Sequence, residues 1–138
     1  MTLPGRPEIP TIDVREAAAA VDAAAGAGAS DGGARGPAGA GVPLLVDVRE
    51  RHEFVAVRVP GAVLHPTSSF LLRFEELPRD RPLHVICHSG SRSASVTAWL
   101  LRTGWSDVHN VAGGMVAWLG AGLDVRRGPL APGEGDPA

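Results

Sequence analysis

This sequence is short of several things, and each shortage narrows what the chain can be. Cysteine occurs once, at position 87. No disulfide within the chain can therefore staple the fold, and in a reducing compartment the free thiol stays available for chemistry. Charge of one sign is not in excess: 13 basic against 15 acidic residues leave a formal net charge of −2. A nucleic-acid or anionic-membrane partner would favour a basic face, so neither is expected. No apolar run approaches membrane-spanning length, and the opening MTLPGRPEIP lacks the apolar centre of a signal peptide. A soluble, cytoplasmic protein is the expectation. The glycines of residues 26–41, GAGASDGGARGPAGAG, follow no strand and lead to no Gly-Lys-Ser/Thr, which sets a phosphate-binding loop aside. With no periodicity and little large apolar surface, the stretch reads as a flexible loop.

What is present suits one domain. The chain has 138 residues, 44% of them hydrophobic, enough to bury a real core. Residues 1–10 read as a flexible N-terminus. Ile12 and Val14 mark a short strand or extended lead-in, and alanine then favours a helix. VPLLVDVRE is a continuous apolar run typical of a strand buried on both faces. RHEFVAV reads as helix with Phe54 turned inward, PGAVLHP as a turn and short strand, and SSFLLRFEEL as a short helix stopped by Pro78. PLHVI is a second buried strand running into Cys87. RSASVTAWLLRTG is an amphipathic helix with Val96, Trp99 and Leu100 at helical spacing and Gly104 as its stop. SDVHNV is a further strand, GGMVAWLGAG a last helix, and residues 128–138, GPLAPGEGDPA, a disordered tail. The tetrapeptide Asp-Val-Arg-Glu occurs at 13–16 and 47–50 with no similarity around it, so it is coincidence rather than a repeat.

Strands alternating with helices predict an α/β domain, a central parallel sheet with helices on both faces and right-handed crossovers. In such sheets ligands sit beyond the carboxyl ends of the strands. Cys87 lies at such an end, and His88, Ser89, Gly90, Ser91, Arg92 and Ser93 follow it. A core cysteine would run on into more core. Here glycine and small serines let the backbone curl so that N–H groups converge on the sulfur. The helix beginning near Ser91 or Arg92 aims its positive end at the same point. Arg92 adds a fork suited to oxyanions. Together these predict a thiol pKa lowered from about 8.5 into the range of activated cysteines, roughly 3.5–7.5. Cys87 and Arg92 are the catalytic candidates, and the residues between them, with Ser93, the substrate-binding ones. Asp47 and Arg49 read as an ion pair near a strand end, with Arg49 carried as a further substrate-binding candidate. His88 either tunes charge at the mouth or faces water. The other histidines, at 52, 65, 84 and 109, do not cluster with Cys87 as ligands would, so no metal and no cofactor is expected.

The stretch VICHSGSRSASVTAWLLRTGWSDVHNVAGGMVAWLGAGLDV closely resembles the rhodanese-like sulfurtransferases. Their loop, Cys-x-x-Gly-x-Arg-Ser, is met by Cys87, Gly90, Arg92 and Ser93. Upstream, LLVDVRERHEF is similar to the family's Asp-Val-Arg-Glu…Glu-Phe segment through Asp47, Arg49, Glu50, Glu53 and Phe54. VPGAV matches Ile-Pro-Gly-Ala, and Gly113, Gly114 and Trp118 match the closing Gly-Gly…Trp. The resemblance runs from about residue 11 to residue 127, the expected domain, with the 26–41 loop longer than the usual connection. The chain departs from the pattern at two places: Val57 and Arg58 stand where Gly-His is common, and Leu64 where asparagine or histidine is.

The resemblance implies a double-displacement sulfur transfer through a persulfide on Cys87. The partners it implies are a small anionic donor such as thiosulfate and a cyanide or thiol acceptor, with a sulfur-acceptor protein as an optional further partner. Backbone N–H groups would stabilise the persulfide and Arg92 would bind the donor's sulfonate-like end. Two rivals share the cradle. Cysteine phosphatases resemble Cys-x5-Arg, whereas four residues separate Cys87 from Arg92, a loop better sized for sulfur than for phosphate. The other rival is a noncatalytic module that binds a partner or senses redox state.

Overall fold

The apolar runs before Asp47 and Cys87 become the inner strands of a parallel sheet in the computed structural model, which describes residues 9–29 and 41–136. In chain order the elements are β1 (Thr11–Ile12), α1 (Val14–Ala29), β2 (Leu44–Asp47), α2 (Arg51–Ala56), β3 (Val63–Leu64), α3 (Phe70–Arg73) between two 3-10 turns, β4 (Leu83–Ile86), α4 (Ser91–Arg102), β5 (Val108–Val111) and α5 (Gly114–Gly120). The five strands lie in the order β1-β5-β4-β2-β3, every pairing parallel. This is the predicted class.

Alternation along the strands divides the core. Val46, Val48, Leu83, Val85 and Val108 pack with Phe70, Leu77, Val96, Leu100 and Trp105 beneath α3 and α4. Leu45, Ile86 and Val111 face the other way, onto Val14, Ala17, Phe54, Met115 and Trp118 of α1, α2 and α5. Because both faces are covered, β4 is buried at every position, which is why its sequence shows no polar alternation. Among the described residues no helix is long and apolar enough to cross a membrane.

Two boundaries differ from expectation. Helix α1 continues to Ala29, so the loop expected from residue 26 begins later. Alanines flanking Gly26 and Gly28 carry the helix through both glycines, each of which costs only about 1 kcal/mol relative to alanine. Residues 30–40, most of that loop, lie outside the described residues, as do 1–8 and 137–138. The tail expected to be disordered from residue 128 instead meets the domain through Gly128, Glu134 and Gly135. Arg58, only 2% exposed, binds both carboxylate oxygens of Glu134 at 2.6 and 3.0 Å and donates to the Gly128 carbonyl at 2.8 Å. Its backbone exchanges two hydrogen bonds with Arg126, and Leu64 N–H donates to Gly135 O at 2.7 Å. A buried guanidinium needs several acceptors, and the tail supplies them. Both departures from the family pattern therefore sit where the tail docks.

Candidate active site

Strand β4 delivers Cys87 to the carboxyl end of the sheet, and the chain turns there on Gly90, whose φ of +107° suits glycine alone. That turn aims three donors at one atom. Gly90 N–H lies 3.1 Å from Cys87 Sγ, Ser93 N–H 3.3 Å and the Ser93 hydroxyl 3.3 Å. Cys87 itself has no exposed surface. Burial pushes its pKa up, but bonds from Ser93's hydroxyl and from the amides of Ser93, Gly90 and Ser89 outweigh burial, and the net direction is down. Donors favour the charged sulfur because they serve it better than the neutral thiol.

The loop is held from outside by α5. Met115 N–H donates to Cys87 O at 2.8 Å and Val116 N–H to His88 O at 3.0 Å. Such close approach requires Gly114, whose φ is +54° and at which a Cβ would lie 2.7 Å from His88 O and also against Cys87 O.

Arg92, on the first turn of α4, is half-buried and bound by an acid. Its Nη1 and Nη2 donate to the two oxygens of Glu53 at 2.9 and 3.1 Å. Arg92's hydrogen bonds hold the Glu53 carboxyl down at about 2, against the opposing effect of burial. Glu53 is placed by the cap of α2, where its side chain accepts from Glu50 N–H at 2.9 Å in a capping box. Helix α2 is in turn tied to β2 by Arg49, which pairs with Asp47 through Nε and Nη2 and donates to the carbonyls of Glu53 and Val57. Arg49 is 2% exposed with each guanidinium nitrogen engaged inside the protein. Its reading as a substrate-binding residue is thereby corrected: the ion pair with Asp47 consumes the fork.

The rhodanese-like domain family matches residues 34–121. The chain belongs to the rhodanese-like family. A sulfurtransferase of Allochromatium vinosum is 37% identical over 82 residues, 59% of this chain and 77% of that one. The thiosulfate sulfurtransferase GlpE of Pseudomonas syringae pv. syringae is 37% identical over 75 residues, 54% of this chain and 71% of its own length. Among solved structures, a rhodanese-related protein of Thermoplasma volcanium superimposes with a TM-score of 0.63 at 26% identity, over 85% of this chain and 97% of that one.

Within this rhodanese-like frame, Cys87, Gly90 and Ser93 come together around the sulfur. His88, Ser89 and Ser91 are exposed and form a rim. Three residues around the loop escaped the candidate list: Glu53, Asn110 and Gly114. Glu53 and Gly114 had a signal, since both fall within motifs of the resemblance. Asn110 of β5 had none. A groove of about 590 Å³ lined by Ala18, Val21, Leu45, Trp118 and others opens at the amino ends of the strands and contains no residue of the cysteine loop.

Proposed function

We propose that this rhodanese-like chain is a sulfurtransferase whose covalent carrier is Cys87. The thiolate attacks the outer sulfur of a small anionic donor such as thiosulfate. The donor's S–S bond breaks, sulfite leaves with the electron pair, and the outer sulfur remains on Cys87 as a persulfide. Cyanide or a thiol then takes that sulfur and returns the thiolate. The reading is carried by one observation, the convergence of the Gly90 amide and the Ser93 amide and hydroxyl on a single sulfur. A packing cysteine has no use for three donors. The sulfurtransferase names of the relatives support the same class.

Arg92 holds positive charge beside the loop, and its Nε–H and outer N–H groups remain for the sulfonate end of the donor while Glu53 fixes the fork. His88, Ser89 and Ser91 line the way in, and the loop must open there because the resting sulfur is fully covered. That burial is the one observation favouring a noncatalytic module. The two readings separate by mass. After thiosulfate, wild type should gain one sulfur atom, removable by cyanide with release of thiocyanate. Cys87→Ser should fold and gain nothing, because a serine alkoxide is far too basic to form near neutral pH. A wild-type chain that neither gains sulfur nor makes thiocyanate would sink the proposal in favour of the module.

A further inference from the structure

Ser93 Oγ carries one proton and has three acceptors within reach: Asn110 Oδ1, Cys87 Sγ at 3.3 Å and Gly90 O at 3.3 Å. Gly90 O is already served by Ala94 N–H, so the contest is between Asn110 and the sulfur. The Asn110 contact is the shortest of the three. The orientation of its amide is fixed by the other end, where Nδ2 donates to Gly90 O at 3.4 Å; turning the amide over would set two oxygens face to face. Asn110 is 8% exposed, and among the described residues no other donor reaches its Oδ1.

We infer that Asn110 is a positioning residue that competes with the Cys87 sulfur for the Ser93 proton and so keeps the thiolate from being held too tightly. This deepens the sulfurtransferase reading and needs only its thiolate half. In the thiol state the proton rests on Asn110, because a carbonyl oxygen is a better acceptor than a neutral sulfur. Ionisation makes the sulfur a charged acceptor, and the proton swings across to it. Asn110 Oδ1 is then left buried without a donor, which opposes ionisation. When Cys87 carries a second sulfur, its inner atom is neutral again and the proton returns to Asn110. Ionisation releases the thiol proton to solvent, whereas the Ser93 proton stays on its oxygen and the hydroxyl only turns. A thiolate of lower pKa is a weaker nucleophile, so this restraint favours reactivity over mere ionisation.

The test is alkylation of Cys87 by iodoacetamide across pH, with no sulfur donor present, so its outcome is independent of whether sulfur transfer occurs. The charged groups around the loop are Arg92 on α4, Glu53 on α2 and the Asp47–Arg49 pair at the end of β2, with His88 on the rim, and they are the same in every variant. Asn110→Ala should lower the pH midpoint by about half to one pH unit and lower the plateau rate about two- to threefold. Loosening of the loop alone would instead raise the plateau. Ser93→Ala should raise the midpoint, and the double variant should match Ser93→Ala because Asn110 acts only through Ser93. Asn110→Val, β-branched and suited to a strand, carries the same test if the alanine variant does not fold. An unchanged or raised midpoint in the Asn110 variants, or the same fall in the Ser93→Ala background, would overturn the inference.

Discussion

Replacing Gly114 by alanine tests whether α5 sets the geometry of the sulfur site. The added methyl meets backbone, the carbonyls of Cys87 and His88, rather than a side chain that can swing away. A left-handed alanine costs about 1–2 kcal/mol, and forcing the overlap apart adds about 1–3 kcal/mol. The variant should therefore lose about 2–5 kcal/mol, a fall in melting temperature on the order of 10 °C. Relief requires the loop to move away from α5, and the Gly90 and Ser93 amides that sit 3.1 and 3.3 Å from the sulfur move with it. A displacement near 1 Å costs on the order of 100-fold in rate, read as kcat/KM for thiocyanate formation from thiosulfate and cyanide. Gly120→Ala is the control, since it lies on the same helix with nothing within 4 Å of the added methyl, and it should be neutral or mildly stabilising. A Gly114→Ala protein with wild-type kcat/KM and a melting temperature within about 2 °C of wild type would refute the reasoning.

Arg58→Met should remove Glu134's two short guanidinium bonds and free the tail, costing about 2–4 kcal/mol because the lost guanidinium served several acceptors. Trypsin should then cut faster after Arg126 and Arg127, and an unchanged cleavage rate would show that the clamp does not hold the tail. Glu53, held near 2 by Arg92 against an ordinary 4.5, should stabilise the fold in full above pH 4.5 and progressively less as pH falls toward 2. With its side chain 25% exposed, the contribution is about 1–2 kcal/mol. Melting temperatures of wild type and Glu53→Gln should accordingly converge through that window, whereas parallel acid curves would mean that the Arg92 pair adds no stability.

The architecture was readable because its signals are local. LLVDV and LHVI announce strands buried on two sides, and each helix between them carries its own periodicity or stop. Cys87, Gly90 and Ser93 were readable for the same reason, since the turn that gathers them spans seven residues. What escaped was non-local. Asn110 reaches Ser93 of α4 from β5, and nothing in SDVHNV distinguishes it from an ordinary strand asparagine. Arg92 read only as an anion receptor, but its fork also meets an internal carboxylate from a distant helix, that of Glu53. The tail looked featureless because its anchor, Arg58, lies far upstream, and composition says nothing of a partner 76 positions away.

The docked tail also changes how the molecule meets its own kind. Strand β3 ends the sheet on one side, and a bare terminal strand offers unpaired amides on which another chain can build. Here Leu64 N–H is already taken by Gly135 O, and upstream of β3 Arg58 exchanges backbone hydrogen bonds with Arg126. The protein thus closes that side with its own backbone, using a segment too poor in apolar residues to form a strand of its own and so unable to pass the pairing on. A molecule that loses the segment would keep its sulfur loop and gain an adhesive border.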